Sequence, residues 1–143
     1  MRLSILEHPP IGTILICNFD RGFKKPEMIK RRPVVVVSKK IGARPSLCTV
    51  VALSTTEPRP IMQYNVKLKL EPPLPFPWNN PAVWVKGDMV YAVGFHRLDL
   101  IKAGKTADGR RIYDMRQLSN DDLLLTRKCL LHSLSLGHLT KFL

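Results

Sequence analysis

The chain has 143 residues, enough for one domain with its own hydrophobic core, and its 45% hydrophobic content favours a globular protein over a disordered one. Lysine and arginine total 23 against 11 aspartate and glutamate, a formal net charge of +12 at pH 7 with histidine neutral. This excess predicts a polyanionic partner: nucleic acid, an acidic membrane surface or an acidic protein. We favour nucleic acid over the alternative that the domain is basic only because it is soluble.

Secreted, membrane-spanning and zinc-binding proteins are disfavoured by the same sequence. The segment 1–10 lacks the apolar run of a signal peptide, and no stretch of about 18 apolar residues could span a membrane. The chain has three cysteines, Cys17, Cys48 and Cys129. Their odd number argues against a disulfide framework, and the lack of a Cys-x-x-Cys pair argues against a zinc site. We therefore expect a cytoplasmic protein in a reducing compartment, with no metal and no membrane partner.

The amino-terminal half predicts short strands and one long basic loop. Apolar and β-branched residues indicate strands at 12–20, 33–38 and 47–54. Four consecutive valines, 34–37, suit a strand that is buried on both faces. Residues 21–32 are basic and poorly periodic, which predicts a long loop of the kind that carries function. Residues 39–46 predict a connection between strands.

Further strands are predicted in the second half. Residues 64–70 alternate between apolar and polar side chains, which predicts a strand with a basic, solvated face. The proline-dense segment 71–81 predicts an extended connector. Residues 82–95 predict one or two strands around Gly87, and residues 104–111 predict a polar turn.

The end of the chain predicts a helix. Ser119 suits the N-cap position, Asp121 and Asp122 suit the first turn, and Gly137 can cap the end. The leucines that follow Asp122 cover more than one narrow stripe, so the surplus forms either a subunit interface or part of the chain's own core. The whole pattern predicts a mainly β protein, a small bent sheet or barrel with a carboxy-terminal helix packed on it.

Three segments, taken in order, carry a resemblance to a known family. They are the opening strand 12–20, the Glu-to-Arg-Pro spacing of Glu27–Pro33 before a hydrophobic strand, and the segment 50–56 that ends in Ser-Thr-Thr. Followed by Leu118–Asp122 and the leucine-rich helix, they resemble the MazF/PemK toxins of type II toxin–antitoxin systems. The resemblance covers most of the chain, so we expect residues 1–143 to form a single toxin-like domain.

The resemblance implies an SH3-like (CcdB/MazF-like) β-barrel, a homodimer, and an endoribonuclease toxin that cuts single-stranded RNA or mRNA without a metal or other cofactor. The implied reaction is attack of the 2′-hydroxyl on its own phosphate, which leaves a 2′,3′-cyclic phosphate and a free 5′-hydroxyl. The resemblance also implies a cognate antitoxin, whose extended tail inhibits the enzyme by occupying the RNA groove.

Such a reaction needs a base, an acid and a group that stabilises charge on the phosphorane. Arg32 is assigned to charge stabilisation, because a guanidinium is permanently charged and binds two phosphate oxygens at once. It is also assigned to proton donation. The alternative is that Arg32 is a solvated arginine of the loop. Glu27 takes the 2′-proton, orients Arg32, or only pairs with loop lysines. Ser54 or Thr55 binds a non-bridging phosphate oxygen, and strand alternation allows only one of them to face the site.

Other residues are candidates for RNA contacts. Exposed cations hold the phosphate backbone without reading bases, and the candidates are Lys24, Lys25, Lys30, Arg31, Lys39 and Lys40. Phe76 and Trp78 stack on unpaired bases, pin the connector to the barrel, or contact a partner, and the last two roles are favoured over the first. His96 is interpreted as structural in preference to a proton shuttle.

Departures from the family pattern keep two alternatives open. Met28 stands where the family usually has Gln, and Met89 and Tyr91 fall near a common Gln and Arg. The first alternative is a catalytically degenerate toxin-like domain that binds RNA or a partner without cutting. The second is a CcdB-like gyrase poison, which would not need the set of Glu27, Arg32 and a strand-end hydroxyl.

Overall fold

The computed structural model describes residues 5–143, and the first four residues of the segment 1–10, for which no signal peptide is predicted, lie outside that range. The strands are β1 (Ile14–Asn18), β2 (Arg31–Val36), β3 (Leu47–Ser54), β4 (Asn65–Lys69), β5 (Ala82–Gly94), β6 (Leu98–Asp99), β7 (Ile101–Lys105) and β8 (Arg111–Asp114). Helix α1 (Asn120–Ser133) follows them, and 3₁₀ helices occupy Phe95–Arg97 and Gly137–Phe142. The predicted mainly β chain with a carboxy-terminal helix is confirmed.

Within residues 5–143 the strands form two antiparallel sheets that do not close into a barrel. Six strands lie in the order β4-β5-β3-β2-β1-β6, and β7 pairs with β8 in a separate hairpin. The sheet is open, with β4 at one edge and β6, a strand of two residues, at the other. The bent sheet that the sequence predicted is therefore an open one.

The two faces of the larger sheet bury different clusters of apolar side chains. Val34, Val35 and Val36 are all fully buried, as expected for a strand covered on both sides. Alternation along β2 sends Val35 to the face on which α1 packs, hereafter the helix face. Val34 and Val36 lie on the opposite face, hereafter the loop face, together with Phe19 and Met28 of the loop between β1 and β2.

Strand β2 begins earlier than the predicted boundary at Pro33. Arg31 and Arg32 pair with Asn18 and Cys17 of β1, so the predicted loop over 21–32 ends at residue 30. The sequence pattern misses this extension because pairing with β1 holds both arginines in the strand without burying them deeply. Arg32 is consequently fixed by strand pairing instead of lying in the loop.

Predictions for the remaining strands hold to different degrees. The bounds of β3 are those predicted, and β5 is one long strand with a bulge against β3 in place of one or two strands. The polar turn predicted at 104–111 is the tip of the β7–β8 hairpin. The hairpin strands were not predicted because most of their residues are exposed on both faces, which leaves no alternation to detect.

Helix α1 begins at the predicted cap but ends differently. The Ser119 hydroxyl accepts a hydrogen bond from the Asp122 N–H at 3.1 Å. At the other end Ser135 has a φ of +62°, and the N–H groups of Ser135 and Leu136 donate to carbonyls of the last helical turn. This Schellman arrangement satisfies those carbonyls before Gly137 is reached. The predicted Gly137 cap is therefore wrong, and Gly137 opens a 3₁₀ helix instead.

Gly87 allows α1 to approach the sheet closely. It lies in the bulge of β5, and its N–H donates to the Tyr64 carbonyl at 2.8 Å. A Cβ added there would lie 2.7 Å from the Tyr64 carbonyl oxygen and 2.8 Å from the carbonyl carbon and oxygen of Cys129 in α1. Since these neighbours are backbone atoms on two different elements, a side chain at Gly87 would force the helix away from the sheet.

The proline-rich connector is held by one arginine. The Arg116 guanidinium donates to the Pro72 carbonyl and, at 3.2 Å, to the Pro73 carbonyl. Asp114 orients that guanidinium through an ion pair of 2.6 Å. Hydrogen bonding to Arg116 lowers the pKa of Asp114 below its ordinary value. This pair therefore couples the connector to the end of β8.

Gly87→Ala is expected to lower the free energy of unfolding by about 1–3 kcal/mol, because its Cβ overpacks the contact between α1 and β5. Gly42→Ala is the matched control, since a Cβ at Gly42 meets nothing within 4 Å. Urea denaturation of both variants measures the difference. Equal stability of the two variants would contradict the close approach described above.

Asp114→Asn is expected to flatten the acid side of the stability profile. The folded-state pKa of Asp114 lies below its ordinary value of 3.8, so the carboxylate stabilises the fold above that pH. This contribution is lost as the pH falls through the folded-state value. The variant should be less stable than the wild type at pH 7 but should lose less stability on acidification. Parallel urea titrations at neutral and acidic pH test this, and identical pH dependence would contradict it.

Candidate active site

The register of β2 against β3 sets Arg32 and Ser54 on one face of the sheet. The paired residues are Val34 with Ala52, Val35 with Val51, and Val36 with Val50. Arg32 and Ser54 lie two residues beyond the last of these pairs. Because side chains alternate along a strand, Arg32 has the parity of Val34 and Ser54 has that of Ala52, so both belong to the loop face. Thr55, the next residue, has the opposite parity.

Arg32 and Ser54 belong to a row of residues that crosses the larger sheet. Cys17 pairs with Arg32 on one side, and on the other side Ser54 pairs with Trp84. The full row, hereafter the Arg32 row, takes one residue from each of the six strands: Leu98, Cys17, Arg32, Ser54, Trp84 and Lys67. From Arg32 to Lys67 the row is half-buried or exposed, whereas the next row inward, at Val34 and Ala52, is fully buried. The row therefore marks the edge where the apolar loop face gives way to polar side chains.

Arg32 is held in place by the loop that precedes it. Its Nε donates to the Ile29 carbonyl at 3.2 Å, and the side chain is half-buried. Within residues 5–143 its two terminal nitrogen atoms make no hydrogen bond to protein. The guanidinium is thus anchored at one nitrogen and retains donors for an anion.

Glu27 is exposed and belongs to a turn of its own loop. One carboxylate oxygen accepts from the Lys24 N–H at 3.3 Å, and the Glu27 N–H donates to the Lys24 carbonyl at 2.9 Å. No ion pair within residues 5–143 joins Glu27 to Arg32. The Ile29 carbonyl orients Arg32 in its place.

Ser54 and Thr55 differ in more than the face they occupy. The Ser54 hydroxyl accepts from the Thr56 N–H at 3.1 Å and lies 3.3 Å from the Thr56 carbonyl oxygen, to which it donates. The Thr55 carbonyl accepts from the Asn80 side-chain amide at 3.1 Å. Both side chains are half-buried. Ser54 therefore shares the face of Arg32 while its hydroxyl is bonded within its own turn.

The six candidate RNA-contacting cations are exposed but fall into two separate groups. Lys24, Lys25, Lys30 and Arg31 lie in or beside the loop that precedes Arg32, and Arg31 also forms a 3.3 Å ion pair with Asp99. Lys39 and Lys40 lie beyond the other end of β2, where they help to line a cavity of about 490 Å³. At about 3.3 Å per strand residue, Lys39 is on the order of 20 Å from Arg32 along the chain. The structure thus brings the first group to Arg32 and leaves the second apart.

The three departures from the family pattern contact one another. The Met28 N–H donates to the Tyr91 hydroxyl at 2.8 Å, and that hydroxyl lies 3.1 Å from the Met89 sulfur. The rings of Phe19 and Phe23 lie 5.1 Å and 5.4 Å from the Tyr91 ring. These five residues, hereafter the loop anchor, fasten the loop between β1 and β2 to the loop face.

Two aromatic candidates of the connector are in different environments. Trp78 packs against the core of the helix face, which pins the connector as one interpretation of the sequence had it. Phe76 is 84% exposed. Trp84, which the sequence analysis did not single out, lies in the Arg32 row, and no sequence pattern pairs it with Ser54 because the strand register is visible only in the fold.

His96 lines a basic cleft that the sequence analysis missed. The side chain is exposed, and with Asn18, Arg21 and Arg97 it bounds a cavity of about 450 Å³. Residues 18–21 and 96–97 are far apart in sequence, so only the pairing of β6 with β1 brings them together.

The three cysteines of the chain are buried. Burial raises the pKa of the Cys17 thiol to about 12 and those of Cys48 and Cys129 to about 11, and all three are free thiols. They are therefore protonated and poorly nucleophilic near neutral pH.

Within residues 5–143 no three His, Cys, Asp or Glu side chains are grouped to hold a metal ion. None of the helices in that range is long and apolar enough to cross a membrane.

Solved structures share this fold at low sequence identity. The MazF-mt6 toxin of Mycobacterium tuberculosis gives a TM-score of 0.55 at 18% identity, covering 87% of this chain and 97% of that one. MazF from Deinococcus radiodurans gives 0.57 at 17% identity, covering 90% and 97%. A mycobacterial endoribonuclease, solved in complex with its cognate antitoxin, gives 0.53 at 18% identity, covering 90% and 94%. These likenesses show that the chain has a MazF-like fold.

Sequence comparisons identify the family. Residues 11–123 match the model of the PemK-like, MazF-like toxins of type II toxin–antitoxin systems. The Escherichia coli K12 protein YifN is 32% identical over 116 residues, which cover 68% of this chain and 76% of YifN. The chain therefore belongs to the PemK/MazF-like toxin family of type II toxin–antitoxin systems.

Proposed function

We propose that this protein is a metal-independent endoribonuclease toxin that cuts single-stranded RNA, including mRNA. The observation that carries the proposal is that Arg32 and Ser54 share the parity of Val34 and Ala52, which are paired on the loop face. Membership of the toxin family and structural neighbours named as endoribonucleases support the same activity.

The proposed reaction is an internal transfer at one phosphate. The 2′-oxygen forms a bond to the adjacent phosphorus, the bond from phosphorus to the 5′-oxygen breaks, and the products are a 2′,3′-cyclic phosphate and a free 5′-hydroxyl. We assign the exposed Glu27 carboxylate as the base that takes the 2′-proton. The Arg32 guanidinium gives a proton to the leaving 5′-oxygen. Glu27 then releases the 2′-proton to water and Arg32 regains a proton from water, so that both side chains return to their starting states.

Arg32 and Ser54 stabilise the phosphorane in this scheme. The two terminal nitrogen atoms of Arg32 suit paired oxygens of a phosphate, and their charge is present before the reaction starts. Ser54 is the assigned hydroxyl because it shares the parity of Arg32, whereas Thr55 does not. Binding a phosphate oxygen requires the Ser54 hydroxyl to rotate away from the Thr56 carbonyl.

The RNA chain lies across the loop face next to these residues. Trp84, paired with Ser54, offers an aromatic surface for an unpaired base, a contact worth about 1–3 kcal/mol in proteins that bind single strands. The exposed side chains of Lys24, Lys25 and Lys30 supply backbone contacts that do not depend on sequence.

Assembly and inhibition form a second part of the proposal. The chain is one toxin domain over residues 1–143 with an open form of the SH3-like architecture, and it acts as a homodimer in the cytoplasm. Exposed apolar side chains near the carboxy terminus, Leu134, Phe142 and Leu143 among them, support a subunit interface. A cognate antitoxin inhibits it, which the structural neighbour named in complex with its antitoxin supports.

One observation favours a second candidate function, a toxin-like domain that binds RNA or a partner without cutting. Met28 stands where the family usually has Gln, and Met89 and Tyr91 fall near the positions of a common Gln and Arg. The contacts among these three residues make them part of the loop anchor. In this second candidate, Arg32, Glu27 and Ser54 do not suffice for cleavage without those polar residues. Cleavage assays separate the two functions.

Arg32→Ala is expected to reduce RNA cleavage by about a hundred- to a thousandfold, the usual loss when one group that stabilises a transition-state charge is removed. The assay is incubation of a long single-stranded RNA in excess EDTA, followed by analysis of the product ends. Arg44→Ala is the matched control, because Arg44 is exposed in the connection at the far end of β2. Intact RNA with the wild-type protein, still bound in a gel shift, would favour the second candidate.

Ser54→Ala and Thr55→Ala form a pair that tests the strand parity. Ser54→Ala is expected to lower kcat by about tenfold or more while Thr55→Ala leaves kcat within about threefold, because only Ser54 shares the face of Arg32. Thermal melting of both variants controls for loss of the turn around Thr56. A larger effect of Thr55→Ala would show that the register does not continue past the last paired residues.

A further inference from the structure

We propose that the cavity bounded by Asn18, Arg21, His96 and Arg97, hereafter the Arg97 cleft, binds a backbone phosphate of the RNA beside the one that is cut. The proposal rests on the nuclease function proposed above and adds a binding subsite to it. The cavity has a volume of about 450 Å³, room for a phosphate group and its water. Three of its four lining side chains carry nitrogen donors on a basic group, and none of the four carries a carboxylate.

Arg97 is fixed in position before any ligand arrives. Its guanidinium donates to the Asn18 carbonyl at 3.1 Å and lies 4.8 Å from the centre of the Phe23 ring. Gly22 has a φ of +82°, and a Cβ there would lie 3.5 Å from the second terminal nitrogen of Arg97. The tight turn at Gly22 thus brings the loop against the guanidinium. A side chain that is already ordered loses little conformational freedom when it binds an anion.

The position of the cleft relative to Arg32 suits an RNA chain. Leu98 follows Arg97 directly and pairs with Cys17, which pairs with Arg32. The cleft is therefore two strands from Arg32, or about 10 Å at the usual strand spacing. Trp84 lies on the other side of Arg32, beyond Ser54. A single strand that crosses the sheet along the Arg32 row would meet Trp84, then the reacting phosphate, then the cleft.

The chemistry of the lining selects for phosphate over a base edge. Guanidinium groups bind phosphate oxygens through paired hydrogen bonds, and Arg21 and Arg97 supply two of them. The Asn18 side chain is occupied, since its oxygen accepts from the Asp20 N–H at 2.8 Å. The cleft accordingly offers donors and charge, and it lacks a free carboxylate or amide acceptor among its lining residues for a base amino group.

The test uses an oligoribonucleotide whose 2′-hydroxyls are methylated, so that binding is measured without cleavage. Fluorescence anisotropy with the whole protein compares Arg21→Ala and Arg97→Lys with the wild type over a range of salt. Each variant is expected to weaken binding about tenfold at low salt, and Arg21→Ala should reduce the salt slope by about one. Lys102→Ala is the matched control, because it removes one exposed cation on the β7–β8 hairpin and should leave the slope unchanged.

The outcomes separate the cleft from the nuclease proposal. Wild-type affinity in both variants, with cleavage of ordinary RNA intact, would overturn the cleft alone. Unchanged RNA binding with weakened binding of an oligoglutamate peptide would also overturn it, because the cleft would then be a site for an acidic protein segment. No binding of the oligonucleotide by the wild-type protein would overturn both proposals. Thermal melting of Arg97→Lys shows whether the contact with Phe23 survives, and Arg21→Ala tests the cleft without altering that contact.

Discussion

The register of β2 against β3 is the constraint on which the site depends. A slip of one residue would exchange the two faces of β2, and it would put the buried valines of that strand into the wrong clusters. Because Val34, Val35 and Val36 are all fully buried, such a slip is costly, and the apolar core therefore fixes the polar residues that lie beyond it. Arg32 and Ser54 inherit their common face from this packing. The face that the candidate site residues share is thus set by the hydrophobic pattern of the strands.

The loop between β1 and β2 supplies the second half of the site, and its order comes from the loop anchor. Phe19 is fully buried and Met28 nearly so, which fixes the two ends of a segment that is otherwise basic and exposed. Tyr91 accepts the Met28 N–H, and its ring packs against those of Phe19 and Phe23. These contacts hold the loop against the loop face. The anchored loop also fixes Arg32, because the Ile29 carbonyl of that loop accepts a hydrogen bond from the Arg32 side chain.

Local signals were predicted well from the sequence, and pairings between distant segments were not. The limits of β3 and the Ser119 cap follow from residues that act on their own neighbours, so the sequence contains them. The grip of Arg116 on the connector and the pairing of Ser54 with Trp84 depend on strand register, which no single segment encodes. The helix end was missed for a local reason, since Ser135 adopts a backbone conformation that usually selects glycine. The roles of the candidate site residues stay predictions, and the face that Arg32 and Ser54 share became visible only in the fold.

The central claim is geometric: the scissile phosphate binds between Arg32 of β2 and Ser54 of β3. A crystal structure with a 2′-O-methylated single-stranded RNA tests it most directly. We expect a phosphate within hydrogen-bond distance of both the Arg32 guanidinium and the Ser54 hydroxyl, with a base against Trp84. RNA bound instead at the far end of β2, against Lys39 and Lys40, would contradict it.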